Sequence, residues 1–203
     1  METLEVVIAT RNSGKLREIR QILAPLGLRV LSLQDFPEIP EILEDGQTFV
    51  ENAVKKATAV ARRTGRVAIA DDSGLAVDAL DGRPGVFSSR YAGEGATDPD
   101  RYRKLLQEMA GVPPGQRGAA FICAMAAASP EGNVEFVEGK CRGEIASSPR
   151  GTQGFGYDPV FFVPELGRTM AEVEPEAKNR ISHRARALER LKQVLPNFLK
   201  EDR

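Results

Sequence analysis

The pentapeptide Ala70-Asp71-Asp72-Ser73-Gly74 constrains this chain more than any other stretch. It follows the apolar run Val67-Ala68-Ile69, which reads as a short buried strand, so two adjacent carboxylates stand where that strand runs out into a loop. Neighbouring carboxylates repel unless something positive lies between them or one takes a proton. That repulsion has to be offset at this strand end. A hard cation such as Mg²⁺, held here against a phosphate or used to polarise a water, would answer the same need. The alternative is a solvated Asp-Asp turn.

Around that strand the chain alternates. Residues 4–9 read as a buried strand and 10–14 as the turn after it, and Leu16, Ile19, Leu23 and Leu26 then form a helical stripe ended near Gly27. Residues 28–33 supply another strand. Thr48-Phe49-Val50-Glu51 has capping-box spacing and opens an alanine-rich helix that stops at Gly65. Residues 81–97, rich in Gly, Pro and Ser, read as an extended loop, and a helix starts with Asp98 as N-cap and Pro99 at its first position. Residues 119–128 and 134–141 flank Glu131-Gly132-Asn133 as an antiparallel hairpin. Residues 151–164 are glycine-rich and aromatic, and a last helix covers residues 185–195 with Leu188, Leu191 and Leu195 on one face. Strand and helix alternating early, then a hairpin, predict an α/β fold with a mixed central sheet flanked by helices.

Composition excludes some partners. The 203 residues suit one large domain or two small lobes, and a net charge of −1 gives no global pull toward nucleic acid or an anionic membrane. Any anion site must be local. Cys123 and Cys141 match neither a disulfide framework nor a zinc spacing and read as reduced, buried thiols. With no basic leader segment and no apolar run long enough to span a bilayer, a cytoplasmic protein is expected.

Four further segments carry candidate chemistry. Thr10-Arg11-Asn12-Ser13-Gly14-Lys15 joins a strand to a helix, which aims backbone N–H groups and the positive end of the helix dipole at one point. It is not a Walker A loop, since the first glycine is missing and Leu16 stands where Ser or Thr is needed. The bland reading is a capped helix with a surface lysine. Glu44, in Glu44-Asp45-Gly46, is a candidate third oxygen ligand beside the aspartates, or else part of an exposed acidic turn. In Gly154-Phe155-Gly156-Tyr157-Asp158-Pro159 a flexible backbone presents two rings. Laying one on a nucleobase is worth ~1–3 kcal/mol; both rings in the core is the alternative. Ser182-His183-Arg184 opens the last helix with Ser182 as N-cap, and the lone histidine makes no metal pair. Lys178 and Arg184 could reach an anion or a carbonyl, or simply share a basic surface with Arg180, Arg186 and Arg190.

Taken in order, Thr-x-Asn-x-x-Lys, Thr-Phe-x-Glu-Asn-Ala, Ala-Asp-Asp-Ser-Gly-Leu, Gly-Phe-Gly-Tyr-Asp-Pro and Ser-His-Arg resemble the Ham1-like non-canonical purine nucleoside triphosphate pyrophosphatases, from Val6 to about Leu195. The resemblance implies one domain over residues 1–203, elongated, with two lobes and the active-site cleft between them. It implies a homodimer, a Mg²⁺ requirement, and cleavage of ITP, dITP or XTP to the monophosphate and pyrophosphate. By the same resemblance, Thr10, Arg11, Asn12, Ser13, Gly14 and Lys15 bind phosphate, and Asp72 is proton acceptor and metal ligand. Glu44 is a second metal ligand and Ser73 a substrate contact. Phe155, Gly156, Tyr157 and Asp158 form the base-binding loop, Lys178 is a further contact, and His183 and Arg184 recognise the base.

On that reading Asp71 is a structural partner of Asp72, because adjacent strand residues point to opposite faces. Arg184 would bond the acceptor oxygen at purine position 6 and meet adenine's amino group donor to donor, at ~1–3 kcal/mol per unpaired group. Two rival readings are a nucleotide sensor without catalysis and a nucleic-acid binder using residues 180–190. The near-neutral charge and the absence of winged or zinc motifs speak against the second.

Overall fold

The computed structural model describes residues 4–201; residues 1–3 and 202–203 of the expected 1–203 domain lie outside the described residues. The element order is β1 (Glu5–Ile8), α1 (Ser13–Leu23), β2 (Arg29–Ser32), α2 (Phe49–Thr64), β3 (Ala68–Val77), α3 (Asp98–Glu108), β4 (Gly118–Ala128), β5 (Val134–Ile145), β6 (Phe161–Val163), β7 (Arg168–Thr169), α4 (Pro175–Ile181) and α5 (His183–Glu201). The strands form one seven-stranded sheet, ordered β2-β1-β3-β4-β5-β6-β7. β1 runs parallel to β2 and β3, and β6 runs antiparallel to β5 and β7. The sheet is mixed, as the alternation predicts.

Helix ends follow local chemistry. Asn12 caps α1, its side chain accepting the Lys15 N–H, so Ser13 to Lys15 form the first helical turn rather than a loop. Thr48 caps α2 through the Glu51 N–H, and Gly65 closes it in the left-handed region at φ 62°. At α3 the cap is Thr97, not Asp98. Thr97 accepts the Asp100 N–H while the Asp100 carboxylate accepts the Thr97 N–H, a reciprocal pair that a lone Asp98 cannot match.

Two compact units result. The first comprises Met1–Asp72, Cys123–Gly139 and Arg184–Arg203. Here the period-two alternation of the strands sorts the core into two faces. Val6, Ile8, Val67 and Ile69 pack with Ile19 and Leu23 of α1 and Leu188 and Leu191 of α5. Val7, Ala9, Ala68 and Ala70 pack with Ala53, Ala57 and Val60 of α2. Alanines on that face of α2 let the helix lie close to the strands. The second unit, Ser73–Ile122 and Lys140–His183, has its own core built on Leu75, Val77, Leu105, Phe121, Phe161 and Met170.

Three expectations change. β3 does not end at the aspartates but continues through them to Val77. α4 is a helix beyond those expected from the sequence, and α5 extends from His183 to Glu201 with Pro196 inside it. The 81–97 loop contains a 3-10 stretch, Gly85–Arg90. Among the described residues no helix is long and apolar enough to cross a membrane. Cys123 and Cys141 are buried and form no disulfide, and Cys123 is pushed up to about 12 by burial and then by Asp71.

Candidate active site

The alternation that sorts the core also separates the two aspartates. Asp71 shares the parity of Ile69 and faces α1 and α5; Asp72 shares that of Ala70 and faces α2. Asp71 is fully buried and ringed by cations. Lys15 Nζ lies 3.1 Å from its Oδ2, and Arg184 donates to the same oxygen from Nε at 3.3 Å and Nη2 at 3.0 Å. Arg184 Nη1 also donates to Glu18 Oε2 at 2.6 Å. Burial alone would push Asp71 up, but Lys15, Arg184 and Lys56 outweigh it and hold the carboxyl far below the usual range. Burial likewise opposes the charge on Arg184, and Asp71 and Glu18 outweigh it.

Asp72 meets different company. Asn52 Nδ2 donates to its Oδ2 at 2.9 Å. Lys56, buried on the same face of α2, donates from Nζ to Glu44 Oε1 and to the Asp71 backbone carbonyl, both at 2.6 Å. Burial pushes Asp72 up from the usual carboxylate range, Glu44 adds to that, and Lys56 and Asn52 only partly offset it. Burial works against the charge on Lys56 too, but Asp71, Glu44 and Asp72 together hold it raised. A carboxylate biased toward taking a proton, beside a second carboxylate and a fixed ammonium, is a pattern suited to general-base chemistry.

In the second unit the glycine-rich loop is held from beneath. Asp158 Oδ2 accepts the Phe155 N–H at 2.9 Å and Lys178 Nζ at 2.7 Å. Asp98 Oδ2 accepts the Gly156 N–H at 2.7 Å, work left to it because Thr97 caps α3. Lys178 Nζ also sits 4.8 Å from the centre of the Phe155 ring. Gly154 makes this packing feasible: at φ +78° a Cβ would lie 2.0 Å from Asp158 Oδ2. Tyr157 is a core residue whose hydroxyl donates to the Ser88 carbonyl at 2.9 Å. His183 stacks on Phe121 with ring centres 4.8 Å apart.

Residues 6–194 match the Ham1 family. The chain belongs to the Ham1 family. It is similar to the dITP/XTP pyrophosphatase of Geobacillus kaustophilus, 58% identical over 187 residues, 92% of each chain. It is equally similar to that of Geobacter sulfurreducens, 58% identical over 94% of this chain and 96% of the relative. The HAM1 protein of Coxiella burnetii has the same fold, with a TM-score of 0.88 and 46% identity over 96% of this chain and all of that one. The dITP/XTP pyrophosphatase of Mycobacterium abscessus matches at a TM-score of 0.76 and 44% identity, covering 93% of this chain and 98% of that one.

Within this Ham1-family chain, the first unit gathers Lys15, Glu44, Asp71, Asp72 and Arg184 through the contacts above. Thr10 accepts the Asn12 N–H at 3.2 Å, and Ser13 and Gly14 lie in the first turn of α1, where N–H groups lack intrahelical partners. Arg11 reaches instead to the Ile39 carbonyl at 2.6 Å. Arg184, expected at a base, bonds carboxylates through all three guanidinium nitrogens. The Tyr157 ring lies in the core, and Phe155 is the half-exposed ring of the loop. Ser73, half-buried, follows Asp72 on β3.

Sequence reasoning missed Asn52, Lys56 and Glu18. The first two were detectable, since they sit at helical spacing in the apolar stripe of Ala53, Ala57, Val60 and Ala61, where a polar residue needs a reason. Glu18 gave no comparable signal.

Proposed function

We propose that this chain hydrolyses non-canonical purine nucleoside triphosphates (dITP, ITP and XTP) to the nucleoside monophosphate and pyrophosphate, keeping such bases out of DNA and RNA. The observation that carries the reading is the pairing of Asp72 with Glu44 and Lys56 on the α2 face, while Asp71 is neutralised on the other. The family membership and the names of the relatives support the substrate class.

Among the described residues no group of three or more His, Cys, Asp and Glu side chains gathers as a metal site. Mg²⁺ does not require one, because it is commonly held by one or two carboxylates together with substrate phosphates and waters. Asp72 and Glu44, two hard oxygen donors that press on each other electrostatically, suit it. When bound there it would neutralise triphosphate charge and draw electron density from phosphorus.

The chain's own groups do the rest. Asp72 accepts a proton from a water as its oxygen bonds to the α-phosphorus, and the bond to the bridging oxygen breaks to release pyrophosphate. Lys15 and the opening N–H groups of α1 receive charge on the phosphate oxygens. Asp71 and Glu18 hold Lys15 and Arg184 in place from below. Phe155, its loop kept in shape by the Asp158–Lys178 pair, is the candidate ring for a purine base. A homodimer in the cytoplasm is part of the same proposal.

The test is pyrophosphate release from dITP, ITP, XTP, GTP and ATP, each with Mg²⁺ and with EDTA. Metal-dependent release, fastest for the first three, is the expected result. Binding of ITP without release would favour the sensor reading.

A further inference from the structure

We infer that Asn52 is a positioning residue for Asp72, tying the carboxylate that takes the proton to the turn that carries Glu44. The inference rests on the role given to Asp72 above. Asn52 is 1% exposed, on the strand-facing side of α2. Its Oδ1 accepts the Gly46 N–H at 2.8 Å. A backbone N–H can meet only the carbonyl end of a side-chain amide, so this bond settles which way the amide points. Nδ2 must then face Asp72, and its 2.9 Å bond to Oδ2 restrains rotation of the carboxylate about its last side-chain torsion. The direction in which Asp72 meets a water is restrained with it.

The turn on the other side has been cleared to allow this. A Cβ on Gly46 would lie 2.7 Å from Asn52 Oδ1 and 2.9 Å from Glu51 Cβ, so any other residue there pushes the turn away. Lys56, one helical turn beyond Asn52, holds Glu44 itself. Consecutive turns of α2 thus grip the Glu44 turn and Asp72 together. A buried asparagine serving the helix alone would not need both ends of its amide spent on two separate segments.

The test compares Asn52→Asp, Asn52→Ala and Asp72→Asn in steady-state pyrophosphate release from ITP with Mg²⁺, alongside thermal melting. Asn52→Asp is nearly isosteric and keeps an acceptor for Gly46, but it sets a second acceptor against Asp72. Both Asn52 variants should lose about 10–100-fold in kcat, with KM within about threefold of the parent. A merely structural asparagine would be rescued by Asp at the Gly46 bond. Wild-type kcat in Asn52→Asp, or a loss confined to KM, overturns the inference. Should Asn52→Asp fail to fold, folded Asn52→Ala with an unchanged kcat overturns it equally. Wild-type kcat in Asp72→Asn would instead sink the role of Asp72 itself, so the two failures are distinguishable.

Discussion

Asp71 and Asp72 are chemically identical neighbours that the fold treats in opposite ways. On the α1/α5 face, Asp71 is buried, surrounded by Lys15 and Arg184, and locked in its charged form. On the α2 face, Asp72 has an amide, a second carboxylate nearby and a bias toward protonation. The difference teaches how a fold divides labour. Charge that is fully compensated supports the structure, and charge left partly uncompensated is available for chemistry.

The sharpest way to break this comparison is to neutralise each aspartate separately. Asp72→Asn should lower kcat by about 10²–10⁴-fold and leave the melting temperature unchanged or slightly higher, because it removes a carboxylate already strained by burial and Glu44. Asp71→Asn should do the reverse. It strands Lys15 and Arg184 and should cost about 3–5 kcal/mol of stability, read as a melting temperature lower by roughly 10 °C. Arg184→Met should fall with it. If Arg184→Met melted normally but equalised turnover of ITP and ATP, Arg184 would return to reading the base. Phe155→Ala is the smallest of the set. Losing one stacked ring should raise KM for ITP about tenfold, within the ~1–3 kcal/mol such contacts carry, without touching the melting curve.

Much of this was legible in the sequence wherever the cause was local. Thr48 and Gly65 mark the ends of α2, and the strand-helix alternation marks the mixed sheet. Where the cause is tertiary, local reading fails. Two adjacent aspartates look like the end of a strand, yet β3 runs on to Val77 because Lys15 and Arg184, distant in sequence, absorb the charge of Asp71. The carboxylate partners of Arg184, Glu18 and Asp71, are hidden for the same reason, since they lie far along the chain. Asn52 and Lys56 are the instructive middle case. Their phase in the alanine stripe was visible, but not the segments they would meet.

The parity of β3 has a consequence of its own. Which aspartate becomes base and which becomes buried counter-ion depends on an odd or even count from the end of α2, where Gly65 turns the chain into the strand. A single-residue insertion or deletion between Gly65 and Ala70 would exchange the two faces at a stroke. No gradual series of substitutions leads from one arrangement to the other. The length of that short connector therefore matters to the site as much as any side chain it delivers.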